Sequence, residues 1–207
     1  VSDVSFVSVG GGGGDPDATG SSVGQLAILA GGAQGTGGSF SNFSVGTTNG
    51  PATSLGTAVV QGGISGFDRV NVGVTFDGTA GSATGLLDVQ TGSVIGTGSP
   101  QLLRVGTTGN EFSSGSADGT AVVAGDVSGF LIGLVGSTGL RSSGNATGDL
   151  TIGGTYSGGN GLQIATAGGA GIATGSAQVG VGVSDVSFVS VGGGGGDPDA
   201  TGSSVGQ

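Results

Sequence analysis

Residues 177–192 read AQVGVGVSDVSFVSVG. Val179, Val181 and Val183 alternate with Gly180, Gly182 and Ser184, and Val186 and Phe188 continue the apolar series beyond Asp185. Alternation of this kind marks a β-strand with one buried face. The stretch also straddles a junction. Residues 183–207, VSDVSFVSVGGGGGDPDATGSSVGQ, repeat residues 1–25 letter for letter. The chain is one full tandem repeat, residues 1–182, followed by 183–207 as the start of the next identical repeat. Strand-like sequence runs through the junction without a Pro- or Ser-rich linker. The copies are therefore expected to form one continuous array rather than tethered beads. The chain opens on Val1 and reads as a window of a longer array.

The long period divides again. Ala-Thr-Gly after a small polar residue recurs as DATG (17–20), SATG (82–85), NATG (145–148) and DATG (199–202). GTAVVQGGISGF (56–67) is echoed by GTAVVAGDVSGF (119–130) and, more distantly, by GSAQVGVGVSDV (175–186). FSVGTT (43–48) matches LRVGTT (103–108), with LQIATA (162–167) beside them. The order is the same each time, which gives three diverged units of about 60 residues, near 18–82, 83–145 and 146–199.

Each unit reads as about four strands. In the first they lie near 24–30, 40–47, 56–64 and 67–77. The last predicts Val70, Val72, Val74 and Phe76 on an apolar face, and Arg69, Asn71, Gly73, Thr75 and Asp77 on a wet one. Asp68 and Asp77 read as part of a solvated surface. Ser-Gly, Thr-Gly, Asn-Gly and Asp-Gly pairs supply turns, and Gly-rich sequence disfavours helix. Glycine throughout the strands, with only 8 Phe and 1 Tyr, implies thin layers and a narrow cross-section. The expected fold is all-β: an elongated continuous repeat array, either a β-solenoid or a fibre-like β-sandwich. Tandem antiparallel β-sandwich domains are the alternative.

Residue types narrow the function. Of 207 residues, 54 are Gly, yet Val, Leu, Ile and Phe still contribute 52, so there is apolar material to bury. Cys, His, Met, Trp and Lys are absent, which removes thiolate and imidazole chemistry, Cys/His zinc sites and the phosphate-loop lysine. Serine and threonine have no His or Lys base beside them. No enzyme is expected. A net charge of −10 opposes binding to nucleic acid or anionic lipid, and no membrane insertion is expected. Arg69, Arg104 and Arg141, the only cations, fall at non-equivalent places in the units and read as local partners of Asp.

Two sets of candidate site residues emerge. In GGGGGDPDATG (10–20) the glycines and Asp15 match the start of a Ca2+-binding nonapeptide, but Asp17 stands where a large apolar residue belongs. Asp15 and Asp17, with their copies Asp197 and Asp199, are the candidate Ca2+ ligands. Otherwise the run is a turn held by Asp and Pro, with no cofactor. The second set is apolar: Val4, Phe6, Val7 and Val9, with the copies Val186, Phe188, Val189 and Val191. These line strand segments whose free edges would pair with a neighbouring copy, and the strand at 186–191 is expected to pack on residues 175–183.

The tandem identity, the ATG/VGTT/GTA order and the Cys-free, acidic, Gly/Thr/Ala/Val-rich composition together resemble the giant repetitive surface proteins of bacteria, the type 1 secreted or autotransporter-like adhesins and fibre proteins. That resemblance implies an extracellular or cell-surface location. The function expected is a structural repeat of a long filament or stalk whose partner is itself, in neighbouring repeats or subunits. An adhesin or binding module recognising glycan or Ca2+ is the alternative.

Overall fold

The computed structural model describes residues 1–11, 20–37, 40–76, 81–97, 102–109, 114–139, 141–193 and 204–206. Among them the chain forms strands and no helix. The strands fall into three sheets, visited in turn. The first contains β1 (Phe6–Gly11), β4 (Asn42–Thr48), β7 (Arg69–Thr75), β10 (Leu102–Thr108), β13 (Ile132–Val135), β16 (Gly161–Ile164) and β19 (Phe188–Val191). The second contains β2 (Ser22–Ile28), β5 (Ser54–Val60), β8 (Ala83–Val89), β11 (Ala117–Val123), β14 (Ala146–Ile152), β17 (Ala173–Val179) and β20 (Ser204–Gly206). The third contains β3 (Ala33–Gln34), β6 (Ile64–Phe67), β9 (Val94–Gly96), β12 (Val127–Ser128), β15 (Thr155–Ser157) and β18 (Gly182–Ser184).

Each strand pairs in parallel with the strand one circuit earlier and one circuit later. This is a β-solenoid, and the antiparallel-sandwich alternative is set aside. The register of the first sheet follows Phe6, Asn42, Arg69, Leu102, Ile132, Gly161 and Phe188, so the rungs are unequal in length. The step from Phe6 to Asn42 is the longest, and the step from Asn42 to Arg69 is among the shortest. Each of the three diverged sequence units spans two rungs and therefore six strands, rather than four. The β5, β11 and β17 strands carry the GTA segment, and β8 and β14 carry ATG. The glycines of both segments share one register column, Gly24, Gly56, Gly85, Gly119, Gly148, Gly175 and Gly206.

The core explains the two-rung unit. From the first sheet a ladder of β-branched side chains points inward: Val9, Val45, Val72, Val105, Val135, Ile164 and Val191. Beside it run Val7, Phe43, Val70, Leu103, Gly133, Leu162 and Val189. Opposite, the second sheet supplies Leu26, Ala58, Leu87, Ala121, Leu150 and Ala177. The sizes are complementary within each rung. Phe43 faces the Ala58 rung, Val70 the Leu87 rung, Leu103 the Ala121 rung and Leu162 the Ala177 rung. Rung five combines Leu150 with Gly133, and Tyr156 takes the room a side chain at Gly133 would need: a Cβ there would lie 2.7 Å from the Tyr156 hydroxyl. Phe43 and Phe67 meet edge to face at 5.7 Å.

Within β1, β4, β7 and β10, and at the residue directly after β13, β16 and β19, the alternation breaks at a left-handed φ: Gly10, Gly46, Gly73, Gly106, Gly136 and Gly192, with Ala165 (φ 50°) as the exception. Here the first and second sheets pinch together. A Cβ on Gly46 would lie 2.6 Å from Gly56 Cα, and one on Gly106 would lie 2.6 Å from Gly119 Cα. Beyond the pinch lies a second, small-residue core that includes Ala146, Ala165, Ala167 and Ala173. Thr48, Thr75, Thr107, Thr108, Ser54 and Ser142 are likewise buried.

Four further sequence expectations need correction. The wet face of residues 67–77 holds only at Arg69: Asn71 is 2% and Thr75 0% exposed, the turn at Gly73 sending Thr75 inward, and Asp77 lies outside the described residues. Asp68, preceding that strand, is buried too and donates its N–H to Ser41 Oγ at 3.0 Å. The alternation around residue 183 is two strands, not one. β17 ends at Val179 and β18 begins at Gly182 in another sheet, so the chain turns a corner there. Finally, β19 contacts β17 across the fold as expected of residues 175–183, but its hydrogen-bonded partner is β16, because parallel stacking pairs each strand with its equivalent a full circuit away.

Candidate functional site at the ends of the stack

The first and last strands of the first sheet are the same residues of the repeat. Phe6 opens β1 and Phe188 opens β19, and six rung spacings separate them. The two copies share backbone geometry as well. Asp3 and Asp185 both have φ 56°, and Gly10 and Gly192 have φ 62° and 61°. Asp tolerates this left-handed conformation better than most residues. Asp3 and Asp185 hold the corner position that Gly66 (φ 71°) and Gly129 (φ 74°) occupy in the GGISGF and GDVSGF segments. The distant resemblance of GSAQVGVGVSDV to those segments therefore has a structural counterpart.

The seven-stranded stack leaves one edge of β1 and one edge of β19 unpaired among the described residues. Val7 and Val9 are half-buried against the core, as are Val4, Val186 and Val191. Phe6 (64%), Phe188 (42%) and Val189 (48%) remain exposed. The interior seating of the repeated segment is visible at one end. The ring of Phe188 lies over Gly161, where a Cβ would be 2.7 Å from its Cε2. Gly192 donates its N–H to the Ile164 carbonyl at 2.9 Å, and the Gly193 carbonyl accepts from Ala167 at 3.0 Å. At the other end Val4 bridges to Gly35, Asn42 donates to the Ser5 carbonyl at 2.9 Å, and the Val1 ammonium reaches the Gly32 carbonyl at 2.9 Å. Residues 1–4 thus lie on the third sheet as the last strand of a preceding rung would.

Side-chain hydrogen bonds lock neighbouring rungs at the third-sheet corner. Asp126 accepts from the Thr155 N–H at 2.7 Å and from its hydroxyl at 2.9 Å, and these bonds hold its carboxyl below the usual range. The Asp126 N–H in turn donates to Ser93 Oγ at 2.9 Å. Tyr156, 1% exposed, donates its hydroxyl to the Gly161 carbonyl, and burial raises its pKa to about 12.

The candidate Ca2+ ligands Asp15, Asp17, Asp197 and Asp199 lie outside the described residues. Within the described residues no three acidic side chains converge on a metal position. Sequence reasoning missed the glycine pinch, although VG in VGTT and the Gly of ATG and GTA are its two halves. It also missed that Arg69 and Arg104 stand on adjacent strands, since Arg104 pairs in register with Asn71, two positions from Arg69. No family model, curated protein or solved structure matches the chain.

Proposed function

We propose that the chain is a structural segment of a long extracellular or cell-surface rod, in which copy follows copy without a joint and the partner of each repeat is the next one. One observation carries this reading: the period that separates Phe6 from its copy Phe188 consumes a whole number of rungs, so Phe188 enters the first sheet in the place Phe6 held. A period that ended part-way round the circuit would rotate each copy against the last and leave the apolar columns unmatched. In phase, Val7, Val9, Val189 and Val191 extend the same columns, and equal contacts recur at equal spacing. Parallel strands lie ~4.8 Å apart, so six spacings give about 29 Å of rod per copy. The bacterial surface location rests on the resemblance of composition and repetition.

The test is length. Chains carrying one, two and three periods are compared by small-angle scattering and electron microscopy. Stiff rods lengthening by about 29 Å per period, with a ~4.8 Å repeat along the axis, support the reading. Separate globules of about 40 Å diameter, joined flexibly, would refute it.

A further inference from the structure

Two hollows of about 300 and 320 Å3 lie on the outer side of the first sheet, one lined by Asn42, Ser44, Arg69, Asn71 and Phe76, the other by Arg104, Thr107, Thr108, Leu134, Ser137 and Thr138. They are neighbours: Arg104 lines the second, and its guanidinium stacks on the Phe76 ring of the first at 5.7 Å. Together they cross four adjacent strands, β4, β7, β10 and β13, which at ~4.8 Å per strand is about 14 Å along the rod. The result is a groove, not a point site.

Its chemistry is unusual for this chain. Two of the three cations stand here side by side in a protein of net charge −10. Among the described residues Arg69 touches a carboxylate only at 4.0 Å, from Asp68, and Arg104 touches none. Burial and the nearby Arg69 both weigh against the charge on Arg104. The groove also holds unused hydrogen-bonding groups. Asn71 Oδ1 and Thr107 Oγ1 are buried without a partner, and their residues are 2% and 1% exposed. Such orphaned atoms cost stability unless something fills the place.

We infer that this groove binds an acidic polysaccharide chain, its carboxylates on Arg69 and Arg104 and its hydroxyls on Asn71 and Thr107. Paired guanidiniums match carboxylates bidentately. Amide oxygens and threonine hydroxyls match sugar hydroxyls. An elongated ligand is required because the two guanidiniums and the orphaned atoms are spread along four strands. The inference is independent of the rod reading, since it concerns the side of the solenoid and not its ends.

The intact chain is titrated calorimetrically with a short oligogalacturonate, with the fully methyl-esterified form of the same oligomer, and with galacturonate monomer. Binding of the acidic oligomer is expected, weakened at least about tenfold by R104Q and by R69Q, and unchanged by R141Q outside the groove. T107V, which removes only a hydroxyl, should weaken it severalfold. Thermal melts of each variant establish that it is folded, and two separate Arg variants keep the test readable if one is not. No binding of the acidic oligomer, equal binding of the ester, equal binding of the monomer, or binding indifferent to both R104Q and R69Q would each overturn the proposal.

Discussion

The pinch between sheets makes a graded prediction, and Gly106 is its sharpest case. Gly106 has φ 58°, and a methyl there would stand 2.6 Å from Gly119 Cα and closer still to the Asp118 carbonyl. Holding an L-residue in the left-handed region costs ~1–2 kcal/mol. Carbon atoms in contact sit ~3.5–4.0 Å apart, so the two backbones must part by at least about 1 Å. Overpacking of that kind costs ~1–3 kcal/mol. G106A should therefore destabilise by ~2–5 kcal/mol, a large share of the ~5–15 kcal/mol typical of a domain. G119A meets the same wall from the other side, at 3.0 Å from Gly136 Cα with Val105 O nearer still, but has no left-handed φ to hold. It should cost only the packing part, ~1–3 kcal/mol.

Nature has run the opposite experiment one rung pair along. Ala165 occupies this column with φ 50° and is fully buried. Its methyl lies 2.9 Å from where a Cβ on Gly175 would be, so the second-sheet glycine alone keeps that rung open. A165G should relieve the strain at an unfolded-state entropy cost of ~0.4–1 kcal/mol, a net change within about 1 kcal/mol. Urea unfolding followed by far-UV circular dichroism would rank the three variants. The reasoning fails if G106A lies within the ~0.5 kcal/mol of the parent that an inconsequential surface substitution shows. It fails equally if G119A costs as much as G106A.

Three further outcomes follow from particular contacts. The Asp126 carboxyl titrates below its ordinary pKa of 3.8, so its bonds to Thr155 stabilise the fold above that pH and are lost as pH falls through the lower folded value; D126N should flatten the acid limb of a melting-temperature-versus-pH curve, with a slightly lower plateau at neutral pH. Tyr156 behaves in the opposite sense: with its pKa raised from 10.0 to about 12, stability is intact below pH 10 and erodes between about 10 and 12, and Y156F should remove that alkaline loss in denaturant titrations. G133A pushes a methyl to 2.7 Å from the Tyr156 hydroxyl, so the double variant with Y156F should recover part of the damage, with a coupling of ~0.5–3 kcal/mol in a double-mutant cycle.

The class of fold was legible because two signals are independent of structure detail. Letter-for-letter identity over residues 1–25 and 183–207 announces an array, and Val70, Val72, Val74 announce a strand. The true period of one rung was not legible. The circuit from Phe6 to Asn42 is longer than the one from Asn42 to Arg69, so no fixed offset aligns the rungs. The VGTT segment of β4 recurs in β7 as VGVT and, from the last residue of β13 onward, as VGST, yet in a chain with 54 glycines such echoes look like composition. The polar face of β7 was misread for a local reason. Gly73 sits where period-two counting assumes an ordinary strand residue, and its left-handed φ breaks the alternation, so that Val74 and Thr75 after it are both buried. The groove is not legible in the sequence because Arg69 and Arg104 are far apart in the chain and become neighbours only through the register of β7 and β10.

The same register explains why the visible sequence unit is a pair of rungs and not a single one. A rung with a large first-sheet side chain needs a small second-sheet one, as Phe43 with Ala58 and Leu103 with Ala121. The next rung reverses the assignment, as Val70 with Leu87 and Gly133 with Leu150. Large residues in one column are therefore separated by smaller ones, and bulk from adjacent rungs interdigitates instead of colliding. Duplication of a single rung would set two large or two small residues in the same column and leave a clash or a void, each worth ~1–3 kcal/mol or more. Only an even number of rungs can be copied without that fault. Six rungs satisfy it: Leu162 of the last rung is followed by Val189, the copy of Val7, and the alternation passes through the junction intact.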